Sequence, residues 1–136
     1  MYLSETHIRV RYGETDQMGY VYYGNYAKYY EVARVESLRQ LGLTYRELEE
    51  MGIIMPVVEN HSRYHAPALY DENLKIVTTI KDKPSVRITF NYEIFNEKGS
   101  LIHAGETQLV FVDKKTGHPC RPPEVFQKVL APYFQV

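Results

Sequence analysis

The sequence contains no tryptophan and only one cysteine, Cys120. A lone cysteine cannot close an internal disulfide, so a small disulfide-stapled scaffold is excluded. No apolar run approaches the ~18 residues that a membrane-spanning helix needs. Residues 1–7 show no basic stretch followed by an apolar one, so they do not read as a secretion signal. Net charge is −1, which leaves no overall basic surface for nucleic acid. No serine sits in a glycine-flanked elbow, and no glycine-rich loop is built to cradle a phosphate. Repeats, low-complexity tracts and linkers are also missing. The expectation is a single cytoplasmic domain over residues 1–136, with no membrane insertion and no nucleic acid partner.

Tyrosine is abundant, at 13 residues of 136. It joins an apolar body to a polar tip, which suits pocket walls and subunit interfaces. Hydrophobic residues make up 44% and charged residues 24%, enough to bury a real core in one globular domain.

Residues 5–12 alternate, with Thr6, Ile8, Val10 and Tyr12 on one face, which predicts a half-buried strand. A helix is expected from about Asn25 to Leu41. Its stripe is Tyr26, Tyr30, Ala33, Ser37 and Leu41, widened by Tyr29, Val32, Val35 and Leu38. So broad a face suits a helix wrapped by a curved sheet. Thr44 and Glu47 form a capping box for a short second helix. A long strand is expected from Ile54 to His65, restricted at Pro56. Strands follow over 74–80 and 86–94, the latter with the cleanest alternation in the chain. Leu101–Val112 reads as a long strand, bent or bulged at Gly105. A short helix after Pro122-Pro123 buries Val125, Phe126, Val129 and Leu130 and ends at Pro132. One long helix followed by consecutive antiparallel strands gives an α+β fold.

The chemistry concentrates between Arg11 and Glu36. A strand-like run ends at Tyr12, a loop from Gly13 to Gly24 carries Glu14 and Asp16, and the long helix follows. A helix N-terminus offers unpaired N–H groups and partial positive charge. A carboxylate beside such donors can attack a carbonyl and stabilise the oxyanion that forms. Acids ahead of helices more often serve as caps, but Asn25 is itself a good cap. Glu14 reads as solvated or structural. His61 and His65 have a metal-ligand spacing only on a helix; on a strand they lie ~13 Å apart. Cys120 sits in a predicted turn, an improbable nucleophile.

The segment Tyr12, Thr15-Asp16, Gly19, Val21-Tyr22-Tyr23, Asn25-Tyr26, Glu31 and Ala33-Arg34, with Tyr64, Ala66-Pro67 and Asp71 further on, resembles the hotdog-fold acyl-CoA thioesterases. It is most similar to the branch that includes 4-hydroxybenzoyl-CoA thioesterase and the small bacterial acyl-CoA hydrolases. The resemblance implies a curved antiparallel sheet of about five strands around a long central helix. It implies Asp16 as the catalytic carboxylate, acting as nucleophile or general base, and the Tyr23 backbone N–H as oxyanion donor. Tyr12, Gly19, Val21 and Asn25 match substrate-binding positions. Some relatives carry histidine where Tyr23 stands, and a tyrosine (reference pKa ~10) cannot replace it as a base near neutral pH. The resemblance also implies a homodimer or homotetramer, and no cofactor beyond the coenzyme A of the substrate.

A thioester suits so small a kit, because its thiolate leaves readily without a dedicated acid. Arg63, Lys81, Lys83, Arg87 and Arg121 are candidates by charge for the phosphates of coenzyme A. An acyl-carrier-protein thioesterase of the same fold and a non-catalytic acyl-CoA binder remain alternatives. A hotdog hydratase would carry histidine at position 21, where this chain has Val21.

Overall fold

The computed structural model describes residues 1–135. Strand β1 (Tyr2–Arg9) keeps the expected alternation but starts earlier, burying Tyr2 and Ser4. It also ends earlier. Residues Tyr12–Glu14 form a 3-10 turn, and Tyr12 is 77% exposed instead of continuing the buried face. Local side-chain bonds replace strand pairing there: the Arg11 N–H donates to Glu14 Oε1 (2.8 Å) and the Thr15 hydroxyl to the Tyr12 carbonyl (2.8 Å).

Helix α1 (Tyr26–Gln40) is preceded without a break by a 3-10 turn over Tyr23–Asn25. The expected stripe is buried at Tyr26, Tyr29, Tyr30, Ala33, Ser37 and Leu38. Val32 departs from it, at 44% exposed, and Arg34 is buried in its place. The Arg34 guanidinium donates to the hydroxyls of Tyr92 (3.2 Å) and Tyr45 (3.3 Å). Phenols at both sites let a charged side chain occupy an apolar face.

Helix α2 (Tyr45–Glu50) is capped as expected, with the Glu47 N–H donating to Thr44 Oγ1 (3.1 Å). The long strand expected from Ile54 is two strands, β2 (Ile53–Ile54) and β3 (Val57–Tyr64), parted at Met55-Pro56. Proline lacks the N–H that an unbroken ladder would use. Strands β4 (Asn73–Ile80), β5 (Arg87–Phe95) and β6 (Leu101–Val110) follow, then β7 (Val112–Asp113) and helix α3 (Glu124–Leu130). The last predicted strand parts at Phe111, whose N–H turns to the Val86 carbonyl (2.9 Å).

The five-stranded sheet has the order β1-β4-β5-β6-β3 and is antiparallel throughout; β2 and β7 form a separate ribbon. This is the expected hotdog arrangement, with α1 packed against β1 and β4. Inward residues Leu74, Ile76, Ile88, Phe90, Tyr92, Ile94 and Leu109 build the core against it. At the far edge β3 has no outer neighbour among the described residues and is exposed along nearly its whole length.

Gly105 is neither a bend nor a bulge: it pairs in register with Ser62 and Tyr92. Its role is close approach. A Cβ there would lie 2.1 Å from the Tyr30 hydroxyl, so only glycine leaves room for that ring against β6. The register shifts fall instead between Val57 and Glu59 and between Ile94 and Phe95.

Candidate active site

A cleft of 320 Å³ opens where the Asp16 loop meets the start of α1 and the end of β3. Its polar groups are few, and four of its ten lining residues are tyrosine. Asp16, Met18, Tyr20, Val21 and Tyr23 come from the loop side, Tyr26 from α1, and Tyr64, His65, Ala66 and Pro67 from the far side.

The two sides are tied by backbone. The Val21 N–H donates to the Ala68 carbonyl (2.8 Å), and Tyr20 bridges to Leu69. His65 and Ala66 both donate their N–H to the Ile102 carbonyl (2.9 and 3.1 Å), which fixes the chain as it leaves β3. The cleft therefore lies between two anchored segments.

Asp16 closes its own turn. Its N–H donates to the Tyr20 carbonyl (2.8 Å), and its carbonyl accepts from Gly19 (3.0 Å). Its Oδ1 accepts the N–H groups of Met18 (2.9 Å) and Tyr20 (3.3 Å). Its Oδ2 has no hydrogen-bond partner among the described residues, which leaves one carboxylate oxygen free for chemistry. Gly19 has φ +82°, a conformation strained for any side chain, so it sets the turn that aims Asp16.

Asp16 does not cap the helix, and neither does Asn25. The helical turn begins three residues before α1, after Tyr22 in extended conformation (φ −60°, ψ 132°). Asn25 is already helical, and its side-chain amide donates to the Glu14 carbonyl (2.8 Å). The N–H groups of Asn25 and Tyr22 are satisfied by the Tyr22 and Glu14 carbonyls. Those of Tyr23 and Gly24 have no partner among the described residues. Two open donors thus sit at the positive end of a helix, with Tyr23 lining the same cleft as Asp16.

Glu14 is the strut of the loop. Its Oε1 accepts the Arg11 N–H and the Tyr29 hydroxyl (2.8 and 2.9 Å), and its Oε2 faces the Arg11 guanidinium at 3.2 Å. Partial burial on its own would raise its pKa. The Arg11 N–H, the Tyr29 hydroxyl and the Arg11 charge outweigh that and hold it below the ordinary value. A depressed carboxylate stabilises the fold fully above its unfolded pKa, and that contribution is lost as pH falls through the folded value. Glu14→Gln is therefore expected to lower the melting temperature at neutral pH. The gap from wild type should close as the buffer is taken well below the ordinary glutamate pKa of about 4.3. Melts at matched protein concentration from acid to neutral pH check this; a gap that persists in acid would mean packing, not charge, is what Glu14 supplies.

Behind the tyrosine wall lies a buried imidazole. The His103 ring stacks on Tyr26 (3.9 Å, 5°) and meets Tyr64 edge-on (4.8 Å). Its Nε2 shares a hydrogen bond with the Tyr30 hydroxyl, which also bonds Ser62 Oγ (2.6 Å). Burial, and secondarily the nearby His65, push the His103 pKa down to about 4, so it is neutral in ordinary buffers. It is fixed scaffold for the wall.

The other expected site residues are dispersed. Val21 lines the cleft and is buried. Tyr12 lies outside, edge-on to Tyr70 at 5.5 Å. None of the five basic candidates lines the cleft. Arg63 lies in an outer-face groove with His61 and Glu106, and Arg87 donates to Gln108 Oε1 (2.7 Å) on that same face. Lys83 lies beside Pro122 and Phe126, and Lys81 and Arg121 are exposed. Among the described residues no cluster of three His, Cys, Asp or Glu side chains could hold a metal ion, and no helix is long and apolar enough to cross a membrane.

Comparison with known proteins matches residues 10–130 to the thioesterase-like superfamily. YneP of Bacillus subtilis is 36% identical over 119 residues, covering 88% of this chain and 86% of that one. The acyl-CoA thioester hydrolase YbgC of Escherichia coli O6:H1 is 33% identical over 106 residues, covering 78% and 79%. The crystal structure of a DHNA-CoA thioesterase from Staphylococcus aureus superposes with a TM-score of 0.89 at 37% identity, covering 100% of this chain and 97% of that one.

Proposed function

Because the chain belongs to the thioesterase-like superfamily, we propose that it hydrolyses acyl-CoA thioesters in the cytoplasm, in the cleft between the Asp16 loop and the start of α1. The observation that carries the reading is an Asp16 carboxylate oxygen with no partner among the described residues and the open N–H of Tyr23 on the walls of a single cleft. The thioester carbonyl oxygen is held by the Tyr23 N–H, where negative charge develops as the carbonyl becomes tetrahedral. The Asp16 carboxylate attacks the carbon, directly or through water. The C–S bond breaks and coenzyme A leaves as thiolate. The apolar tyrosine walls take the acyl group. A thiol-release assay over a panel of acyl-CoA substrates tests this, run beside the same acyl groups on carrier protein. Turnover with preference for acyl-CoA is expected; tight binding without thiol release would identify a binder instead.

The working unit is a homodimer or a larger assembly of dimers. Two features support it. The β3 edge is bare, an association hazard unless paired. Around the cleft, Met18, Tyr20, Tyr23, Tyr64, Leu69 and Tyr70 are all 41–70% exposed, more apolar surface than a monomer keeps in one place without a use. Two sheets joined edge to edge would cover both and put the cleft at the junction. Sedimentation at micromolar concentration should show no stable species of 15.9 kDa; an active monomer of that mass would contradict the assembly.

A further inference from the structure

We propose that His65 is the general base for the water step of the reaction, acting after Asp16 has taken the acyl group. The proposal rests on the reading of Asp16 above and deepens it.

Asp16 Oδ1 is held by two backbone N–H groups while Oδ2 has no partner among the described residues. A carboxylate held by one oxygen with the other free is arranged to attack. When Oδ2 attacks the thioester carbon, the C–S bond breaks and the thiolate departs, leaving an acyl–aspartyl anhydride. Water must then attack that acyl carbon. Asp16 is now acylated through Oδ2 and can no longer take the proton of water, so a second base is needed.

The cleft offers few candidates. Its tyrosines cannot serve near neutrality, since the phenol reference pKa is ~10. Tyr26 is pushed higher still, to about 12, by burial first and by the neighbouring Tyr64. His103 is buried, with Nε2 engaged by Tyr30. His65 lines the cleft beside Tyr64. Its ring nitrogens have no hydrogen-bond or ion-pair partner among the described residues, while its backbone is pinned to Ile102. It is thus an accessible imidazole on a fixed backbone with nothing of its own to hold, and histidine is the side chain suited to proton transfer near neutral pH. The groups around it are Asp16 and Tyr20 from the loop, Tyr23 in the 3-10 turn, Tyr26 at the start of α1, Tyr64 at the end of β3, and His103 on β6. Only Asp16 among these carries charge at neutral pH, and acylation removes that charge.

In the step, the water oxygen bonds to the acyl carbon while its proton passes to the neutral imidazole of His65. The bond from the acyl carbon to Asp16 Oδ2 breaks and the carboxylate is restored. The imidazolium then releases its proton to solvent or to the thiolate. Acid and thiol are the products, with no change of oxidation state.

The test is pre-steady-state thiol release by the wild-type protein, His65→Ala and His65→Gln. Neither variant removes a side-chain bond, so both should fold. Each should release about one thiol per site in a fast burst and then turn over ~10-fold or more slowly, as loss of a general base implies. Intact-mass measurement during the slow phase should find the acyl group on the protein. Imidazole in the buffer should speed His65→Ala but not the wild type. Unchanged turnover in the variants, or slower turnover without a burst and without acylated protein, would overturn the role of His65 while leaving the thioesterase reading intact. Absence of thiol release by the wild type would overturn both.

Discussion

Replacing Asp16 with asparagine is expected to lower kcat by ~10²-fold or more on any acyl-CoA the protein turns over, while the melting temperature changes little. The geometry separates the two effects. The asparagine side chain would keep an oxygen to accept the Met18 and Tyr20 N–H groups, so the turn that Asp16 closes should survive. What disappears is the charge and nucleophilicity of the free oxygen. KM should hold, because the tyrosine walls and the Tyr23 N–H are untouched. Thiol-release kinetics with thermal melts at one protein concentration check this. Near-native turnover by a folded variant would remove Asp16 from the chemistry.

Substituting alanine for Gly105 is expected to cost the fold ~3 kcal/mol, the upper part of the range for overpacking a core, and to lower the melting temperature by ~10 °C. The new methyl would stand 2.1 Å from the Tyr30 hydroxyl and 2.3 Å from its Cζ. Tyr30 has little room to retreat. Its ring stacks on Tyr92 at 4.3 Å and its hydroxyl is shared by Ser62 and His103. In a Tyr30→Leu background the same change at position 105 should cost much less, since the crowded atoms are gone. Equal costs in both backgrounds would mean that the glycine answers to something other than Tyr30. The effect also reaches the site: Tyr30 ties α1 to β6 and β3, and the 3-10 turn that leads into α1 carries the N–H donors.

Periodicity made much of this fold legible. The alternation over 86–94 and the stripe from Tyr26 to Leu38 fixed what each segment buries. Where the chain departs from periodicity, local polar bonds decide, and these are harder to read. Glu14 reaching back to Arg11 ended β1 early, and the chain parts at Pro56 and at Phe111 within what reads as one long strand each. Arg34 was hidden among good helix formers; its burial depends on Tyr45 and Tyr92, remote in sequence. Gly105 showed itself as special, but the reason was a ring on another element.

At the site, the Asp16 loop and its following helix were legible because both parts are contiguous. The role of Asn25 was not, since the extra 3-10 turn moved the helix start to Tyr23. His65 drew notice only as half of an implausible metal pair. The signal that would have found it is its place inside the Tyr64…Ala66-Pro67 pattern, which sits across from Asp16 only once Val21 bonds Ala68.

The most direct measurement is a crystal structure of the Asp16→Asn variant with an acyl-CoA that the wild type hydrolyses. The thioester carbonyl oxygen should lie within ~2.7–3.1 Å of the Tyr23 N–H donor, as an oxyanion site requires. The acyl carbon should face the side chain at position 16, and the acyl group should lie against the tyrosine walls. A thioester bound away from this cleft, or with its carbonyl turned from the start of α1, would contradict the account.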